Sequence, residues 1–459
     1  MNRFLILMMI FSLACYSSIG QGTNHAYERN LLIEHIHLLP MDSPEVLRDM
    51  QVWLREGKIF KIGKKLDYPL SGKKIDGKGQ YLMPGLTEMH AHIPLPQGAD
   101  DGKAEEAFFL WMANGITTIR GMLGHPRHLT YRERAAQEAG YAPRIFTSGP
   151  SINGNSAPSA AIATRMVREQ KEAGYDFLKL HPGLKRAVFD SLVRVANQVE
   201  IPFAGHVSVD VGVRHAIESG YASIDHIDGY VEGLVPAEKG LIPGSGGFFG
   251  FNFTDEVDEH KLDALVSLTK AHRVAVVPTH SLMVSLAHPS WADSLHAMRE
   301  MDFVSRPTLQ QWKQTVYGFQ ASRSYEAERG LRYLALRDEI LRKLKTAKVP
   351  ILLGSDAPQI YNVPGFSIHH EMQAMLKAGF SPYEILYAGT VAPARFLGQA
   401  GKFGQIVEGG AADLIWLETN PLEDLTTLKN PVRVCVRGAW LEREEIFAGL
   451  EKIRTKYRK

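Results

Sequence analysis

The sequence predicts an α/β fold: a (β/α)₈ TIM-type barrel with a small composite β-sandwich built from the two ends of the chain. Three observations lead there. Between Pro84 and about Leu397, short apolar runs rich in β-branched residues alternate with longer amphipathic stretches. There are eight such runs, each ending at turn residues. The segments on either side are β-rich and each is too small to hold a core of its own. Counting alone leaves an open doubly wound sheet as the alternative.

Taken in order, the first 20 residues read as an export signal, with Arg3 as the lone charge and an apolar run from Phe4 to Ala14. Ser18-Ile19-Gly20 offers small residues for cleavage before Gln21. Cys15 gives a lipoprotein variant, but Ser12-Leu13-Ala14 is an imperfect approach to it. Residues 27–84 form the N-terminal part of the sandwich, with strand-like pieces at Leu31–Leu38, Val52–Leu54, Ile59–Ile62 and Lys73–Asp76. Residues 85–399 form the barrel. Its expected strands are Leu86–His90, Ile116–Arg120, Arg144–Ser148, Phe177–His181, Pro202–His206, Ala222–His226, Val274–Pro278 and Ile351–Ser355. Helical stretches between them include Ala161–Ala173, Ala187–Gln198, Val211–Glu218, Asp258–Ala271 and Ile368–Lys377. Two insertions exceed a minimal unit: a glycine-rich aromatic stretch at Tyr230–Phe253, expected as a mobile loop, and a long helical one at Ser290–Lys345. Residues 400–459 complete the sandwich, with strands expected at Gly404–Val407, Ala412–Trp416 and Val432–Val436.

Composition narrows the function classes. With 45% hydrophobic and 22% charged residues, the 459-residue chain can bury a large core. A net charge of +2 gives no bulk attraction to nucleic acid or an anionic membrane. The two cysteines, Cys15 and Cys435, exclude a disulfide scaffold or a cysteine zinc site. No segment of the mature chain is long and apolar enough to span a bilayer as a helix. A small-molecule substrate is the expected partner, and a homo-oligomer is left open.

The chemistry collects at strand ends. His90-Ala91-His92 closes the first strand, and alternation puts both imidazoles on one face, able to share a metal. Lys179 lies in the apolar run Phe177-Leu178-Lys179-Leu180, where a charged ammonium is costly to bury. A snorkelling lysine is the plain alternative. A neutral lysine there can instead capture CO₂ as a carbamate, whose carboxylate can bridge two cations. His206, His226 and Asp356 end or follow the fifth, sixth and eighth strands. Each alone is compatible with a structural polar group. Together they set ligand-type residues repeatedly on one rim.

Pro84-Gly85-Leu86-Thr87-Glu88-Met89-His90-Ala91-His92, Ala113-Asn114-Gly115-Ile116-Thr117-Thr118 and Gly354-Ser355-Asp356-Ala357 resemble the amidohydrolase superfamily. Ala411-Ala412-Asp413-Leu414 and Asn420-Pro421-Leu422 resemble strands of that family's composite sandwich, so the resemblance covers nearly all of the mature chain. The nearest branch is the group related to imidazolonepropionase and metal-dependent prolidases. The resemblance implies two divalent cations, zinc first, with Mn²⁺, Fe²⁺ or Co²⁺ as alternatives. It implies that His90, His92 and Asp356 hold the more buried ion, that His206 and His226 hold the other, and that carbamylated Lys179 bridges them. The sequence departs from the family at Glu88, where an aspartate is usual. Lys179 argues against imidazolonepropionase activity itself, which resembles the one-metal branch.

Two cations about 3.5–4 Å apart lower the pKa of a shared water enough to make it a nucleophile at neutral pH. Asp356 would then act as general base and, in turn, general acid. His280 would orient the oxyanion or substrate, and His181, Tyr230 and His369 are candidates for a substrate carboxylate or carbonyl. The expected reaction is hydrolysis of a C–N bond in a dipeptide or N-acyl amino acid. Lactone or phosphotriester hydrolysis, deamination and a silent binding scaffold are the rival readings.

Overall fold

A computed structural model describes residues 26–27, 30–69, 72–96, 98–240, 242 and 244–458. The expected export signal over residues 1–20, with Cys15, lies outside the described residues.

The N-terminal flank contributes six strands: β1 (Ala26–Tyr27), β2 (Asn30–Leu38), β3 (Leu47–Arg55), β4 (Lys58–Gly63), β5 (Lys73–Asp76) and β6 (Tyr81–Pro84). Seven follow in the middle of the chain: β7 (Leu86–Ala91), β8 (Ile116–Gly121), β9 (Arg144–Thr147), β10 (Leu178–Leu180), β11 (Phe203–Gly205), β12 (Ser223–Asp225) and β13 (Ala275–Val277). The C-terminal flank adds β14 (Leu414–Leu417), β15 (Arg433–Val436) and β16 (Ala439–Glu442).

The seven middle strands make two parallel sheets, β7-β8-β9 and β10-β11-β12-β13, alternating with helices. Every residue of β7, β8 and β10–β13 is buried, as parallel strands covered on both faces must be. Parallel bridges Ser148–Phe177 and Ile152–Leu180 link β9 to β10. The expected eighth strand, Ile351–Ser355, forms no ladder. It makes single parallel bridges instead, Ile351 to Val276 of β13 and, just beyond it, Ala357 to Ala91 of β7. The reason is local: the Leu353 amide donates to the Ala388 carbonyl, and Asp356 adopts a left-handed φ of 66°.

The flanks meet in one sheet of nine strands. In it, β6 pairs parallel with β2 and antiparallel with β14, which joins the two ends of the chain. Leu31, Ile33, Val52, Leu82, Leu414 and Trp416 form its own apolar cluster. The expected strand at Gly404–Val407 is absent, and residues 443–458, read as part of a β-rich flank, form a helix. That helix buries Ile446 and Ile453, two helical turns apart, and packs on the helix Gly102–Ala113.

The insertions fold onto the rim. Tyr230–Phe253, expected as a mobile loop, begins with the buried helix Tyr230–Leu234 and ends in the 3₁₀ segment Phe248–Glu256. Its aromatics find partners: Phe251 stacks on Tyr325 at 5.8 Å and meets Tyr333 at 5.3 Å. The second insertion is helical as expected, with the helix Arg306–Gln320 capped by Ser305 and the long helix Ala327–Thr346.

Candidate metal centre

His90 and His92 leave the end of β7 on one face, their rings stacked at 5.4 Å. Asp356 approaches from the segment after Gly354. Its Oδ1 lies 2.9 Å from His92 Nε2 and 3.5 Å from His90 Nε2. One ligand atom from each of these residues falls within 4.8 Å of the others. Asp356 Oδ1 is buried and accepts no hydrogen bond. A buried carboxylate oxygen facing two imidazole nitrogens needs a cation, so the set fits a divalent metal.

The other expected ligands continue the cluster. Lys179, fully buried on β10, has Nζ 3.5 Å from His90 Nε2. The His226 ring lies tilted beside two others, 4.5 Å from the His90 ring and 4.5 Å from the His206 ring. His226, at φ 65°, and Asp356 both hold left-handed backbone, a cost that concentrates at functional sites. Burial and the nearby Lys179 bring the His206 pKa down to about 3. Burial, with Lys179 and His92, likewise holds His90 well below its ordinary value. Burial also lowers the Lys179 pKa, against the pull of Asp225 and Asp356. Neutral imidazoles and a neutral amine are the states that bind metal and react with CO₂.

Glu88 shows how the departure from aspartate is accommodated. Its longer arm reaches across to the segment around Ser355, accepting from the amides of His90 (2.9 Å) and Ser355 (2.8 Å) and from Ser355 Oγ (2.5 Å). Burial pushes its pKa up to about 8 despite these donors.

The remaining candidates separate. His181 stacks on His206 at 4.9 Å and pairs with Ser151 Oγ at 2.7 Å. With Ser151 and Asn153 it lines a cavity of about 610 Å³. His280 is buried, but its Nε2 lies 2.9 Å from Asp338 and Arg337 Nε donates to its Nδ1 at 3.4 Å, so its ring is engaged by the helix Ala327–Thr346. The Tyr230 hydroxyl is buried against Thr269 at 2.8 Å. His369 Nε2 pairs with Asn114 at 3.1 Å, at the end of another helix. Neither Tyr230 nor His369 makes a hydrogen bond, ion pair or ring contact with the cluster among the described residues.

Several residues at the site carry no motif. Asp225 Oδ2 lies 3.1 Å from His90 Nδ1 and 3.6 Å from Lys179 Nζ, with Arg120 on its other oxygen at 3.0 Å. A carboxylate behind an imidazole fixes the ring's orientation and tautomer. Burial opposes the Asp225 charge, but Arg120 and Lys179 hold its pKa below the usual value. Thr279 Oγ1 meets His226 Nδ1 at 2.7 Å, Asp228 meets His206 Nδ1 at 3.1 Å, and Gln359 Nε2 donates to Asp356 Oδ2. Phe249 lies over His226 at 5.1 Å and His206 at 5.6 Å. One sequence signal was available: an arginine inside the buried run Ile116–Gly121 demands an equally buried partner.

Comparison with known proteins agrees with this geometry. The amidohydrolase family model matches residues 81–441. Ochratoxinase from Aspergillus niger is 24% identical over 431 residues, covering 86% of this chain and 83% of that protein. Among solved structures, a bottromycin amidohydrolase superposes with a TM-score of 0.71 at 20% identity, covering 94% of this chain and 91% of its own. A Xaa-Pro dipeptidase with methionine bound in its active site gives 0.65 at 18% identity, covering 90% and 100%. The family match spans most of the chain and contains the His90, His92 and Asp356 cluster. The protein belongs to the amidohydrolase family and is a metal-dependent hydrolase of that superfamily.

Proposed function

We propose that the protein hydrolyses an amide C–N bond in a small molecule, a dipeptide or N-acyl amino acid, with two divalent cations held on the barrel rim. The observation that carries this reading is the convergence of His90, His92 and the unpartnered Asp356 Oδ1, continued by Lys179, His226 and His206. When bound, the cations, zinc first, would supply Lewis acidity and lower the pKa of the attacking water. Asp356 would take the proton from that water and deliver it to the leaving nitrogen. Lys179 would hold a carbamate: its neutral amine adds to the carbon of CO₂ and loses a proton, leaving an anionic carboxylate to bridge the ions. Asp225 would then accept the remaining N–H and keep His90 in register. His181, beside Ser151 and Asn153, would hold the substrate's carboxylate. Tyr230 and His369, whose polar atoms are taken by Thr269 and Asn114, have no part in this mechanism, and neither does His280, whose ring Asp338 and Arg337 engage. The names of two similar proteins, an amidohydrolase and a dipeptidase, support C–N chemistry and the prolidase-like branch.

The same reading takes residues 85–399 as a closed eight-stranded catalytic barrel and residues 27–84 and 400–459 as its composite partner domain. Residues 1–20 would direct export to the periplasm or medium.

The test compares N-acyl amino acids and dipeptides with their C-terminally amidated forms on metal-loaded protein. Free acids should turn over faster, with two transition metals bound per chain. Equal rates would remove carboxylate recognition by His181. Turnover of lactones or phosphotriesters with no amide cleaved would overturn the substrate class, and absence of bound metal under replete conditions would favour a silent scaffold.

A further inference from the structure

We propose a second ligand site, at the end of the molecule opposite the metal centre, that binds a small amphipathic anion: an apolar or aromatic body carrying one carboxylate, sulfonate or phosphate. A cavity of about 620 Å³ opens where β13 and the segment 350–357 begin. Ala275 at the start of β13 lines it, whereas Thr279, past the other end of that strand, touches His226. Strands that run away from the cavity toward the metal centre separate the two sites by the depth of the sheet. The volume suits a small molecule, since ligand pockets span about 300–1,000 Å³.

The lining defines the ligand. Phe380, Tyr383, Tyr387 and Phe396 give an aromatic wall, which favours a flat or acyl body. Arg273, Lys345, Lys348 and Arg395 surround it, and the one carboxylate among the lining residues is Glu384. Glu384 is already engaged, accepting from Ser381 N at 2.8 Å and lying 3.0 Å from Lys345. Lys345 also donates to the Gly379 carbonyl, and Arg395 to the Tyr387 hydroxyl. Arg273 and Lys348 make no ion pair or side-chain hydrogen bond among the described residues. In a chain of net charge +2, four cations against one committed carboxylate around one cavity are a local excess that calls for an anion.

The backbone at the mouth adds an independent observation. Arg273 (φ 56°) and Lys348 (φ 60°) occupy the left-handed position that ends the helices Leu262–Ala271 and Ala327–Thr346. Gly174, Gly220 and Gly379 stand at that position after other helices of this chain, and Glu200 (φ 53°) after one more. A long side chain at this position is disfavoured by conformation, and the two that are cationic both line this one cavity. An anionic head group between the two cations, with its apolar body on the aromatic wall, matches the charge and the apolar lining of the cavity.

The test is calorimetric titration of the metal-loaded full chain with naphthylacetate and with its uncharged analogue naphthylethanol, at low and high salt. Naphthylacetate should bind at this site with an affinity that falls as salt rises, because the cations are exposed. Naphthylethanol should bind about tenfold more weakly. Arg273→Glu with Lys348→Glu should weaken naphthylacetate at least about tenfold while hydrolysis stays at the wild-type rate, and Arg273→Ala with Lys348→Ala should weaken it less. Unchanged titration in both double variants would place the binding elsewhere, the metal centre included, and overturn the proposal. Equal binding of the alcohol would overturn its anionic character. A dimer that dissociates on charge reversal, with no naphthylacetate bound by the wild type, would assign the face to a second copy of the chain and also overturn it.

Discussion

Lys179 is where burial, charge and proposed chemistry meet most tightly. Its amine is fully buried between His90 Nε2 and Asp225 Oδ2, and Gly205 makes room for it. A Cβ on Gly205 would come within 2.8 Å of Lys179 Cδ and 2.4 Å of the Leu180 carbonyl, and Gly205 holds φ 124°, outside the range of other residues. If Lys179 bears the bridging carbamate, Lys179→Ala should lose most bound metal and at least about a hundredfold of activity, the scale of losing one oriented catalytic group. Short-chain carboxylates should restore part of both. Full activity in Lys179→Ala would sink the two-metal reading. Gly205→Ala should produce a milder loss of metal by displacing the same side chain, read by metal analysis at unchanged secondary structure. At this scale the sequence revealed the residues whose type alone suggests a ligand: His90, His92, Lys179, His206, His226 and Asp356 all end up in or beside one cluster. It did not reveal Asp225 or Thr279, because an aspartate or a threonine becomes informative only when the partner across the sheet is known, and Arg120 inside a buried run signals a partner without naming it. His280, Tyr230 and His369 meet Asp338, Thr269 and Asn114, and spacing does not show this, because a polar side chain near a strand end can turn inward or back into the helical layer.

The element that lies over the His206 and His226 rings is the 3₁₀ segment Phe248–Glu256. Phe249 sits in left-handed backbone (φ 49°) above the His206 and His226 rings, and the Tyr333 hydroxyl donates to its carbonyl at 3.1 Å. The segment is fastened by Asp255, which accepts from Arg329 Nε at 2.9 Å and Arg332 Nε at 2.7 Å on the helix Ala327–Thr346. Hydrogen bonds from those arginines bring the Asp255 pKa down to about 2 from 3.8. A depressed carboxylate stabilises the folded state fully above its unfolded pKa, and that contribution disappears as pH falls from about 3.8 through about 2. Asp255→Asn should therefore loosen the segment at neutral pH without touching metal content. Limited proteolysis within residues 235–256 should quicken, KM should rise more than kcat falls, and the acid step over that window should vanish. Unchanged cleavage would show that Tyr333 and the aromatic packing suffice. The sequence marked this insertion by its glycines and aromatics but read it as a loop, since composition gives no period and Phe251 acquires its partners, Tyr325 and Tyr333, from the helix Ala327–Thr346 and the turn just before it. Strands of the middle region were more legible. Their continuous apolar runs are a local signal, and only Ile351–Ser355 failed to form a ladder, because its amides are shared with β13 and the helix around Ala388.

Across the whole molecule, the two chain ends must be held to the catalytic region, and Asp413 does this at one point. It is buried at the start of β14, accepts from the Arg437 amide at 2.8 Å, and pairs with Arg144 of β9 at 3.0 Å. Its own carbonyl accepts from Gly85, one residue before β7. The Arg437 side chain reaches on to the Ala142 carbonyl at 3.1 Å, so one residue, through its carboxylate and its main-chain carbonyl, gathers the turn between β15 and β16, the entry to β9 and the entry to β7. Removing it leaves Arg144 and the Arg437 amide without their acceptor in a largely buried place. Arg144 is partly exposed, so water recovers some of the loss, and Asp413→Ala should cost about 2–3 kcal/mol rather than the full penalty of a buried unpaired charge. The entries to β7 and β9 lie at the strand ends opposite His90 and His92, so the damage should fall on stability alone. Urea unfolding should show a lower midpoint, while folded Asp413→Ala should keep its metal and its kcat. A fall in kcat or metal content at full folding would mean that the flanking sheet sets the position of β7, and through it the spacing of His90, His92 and Asp356.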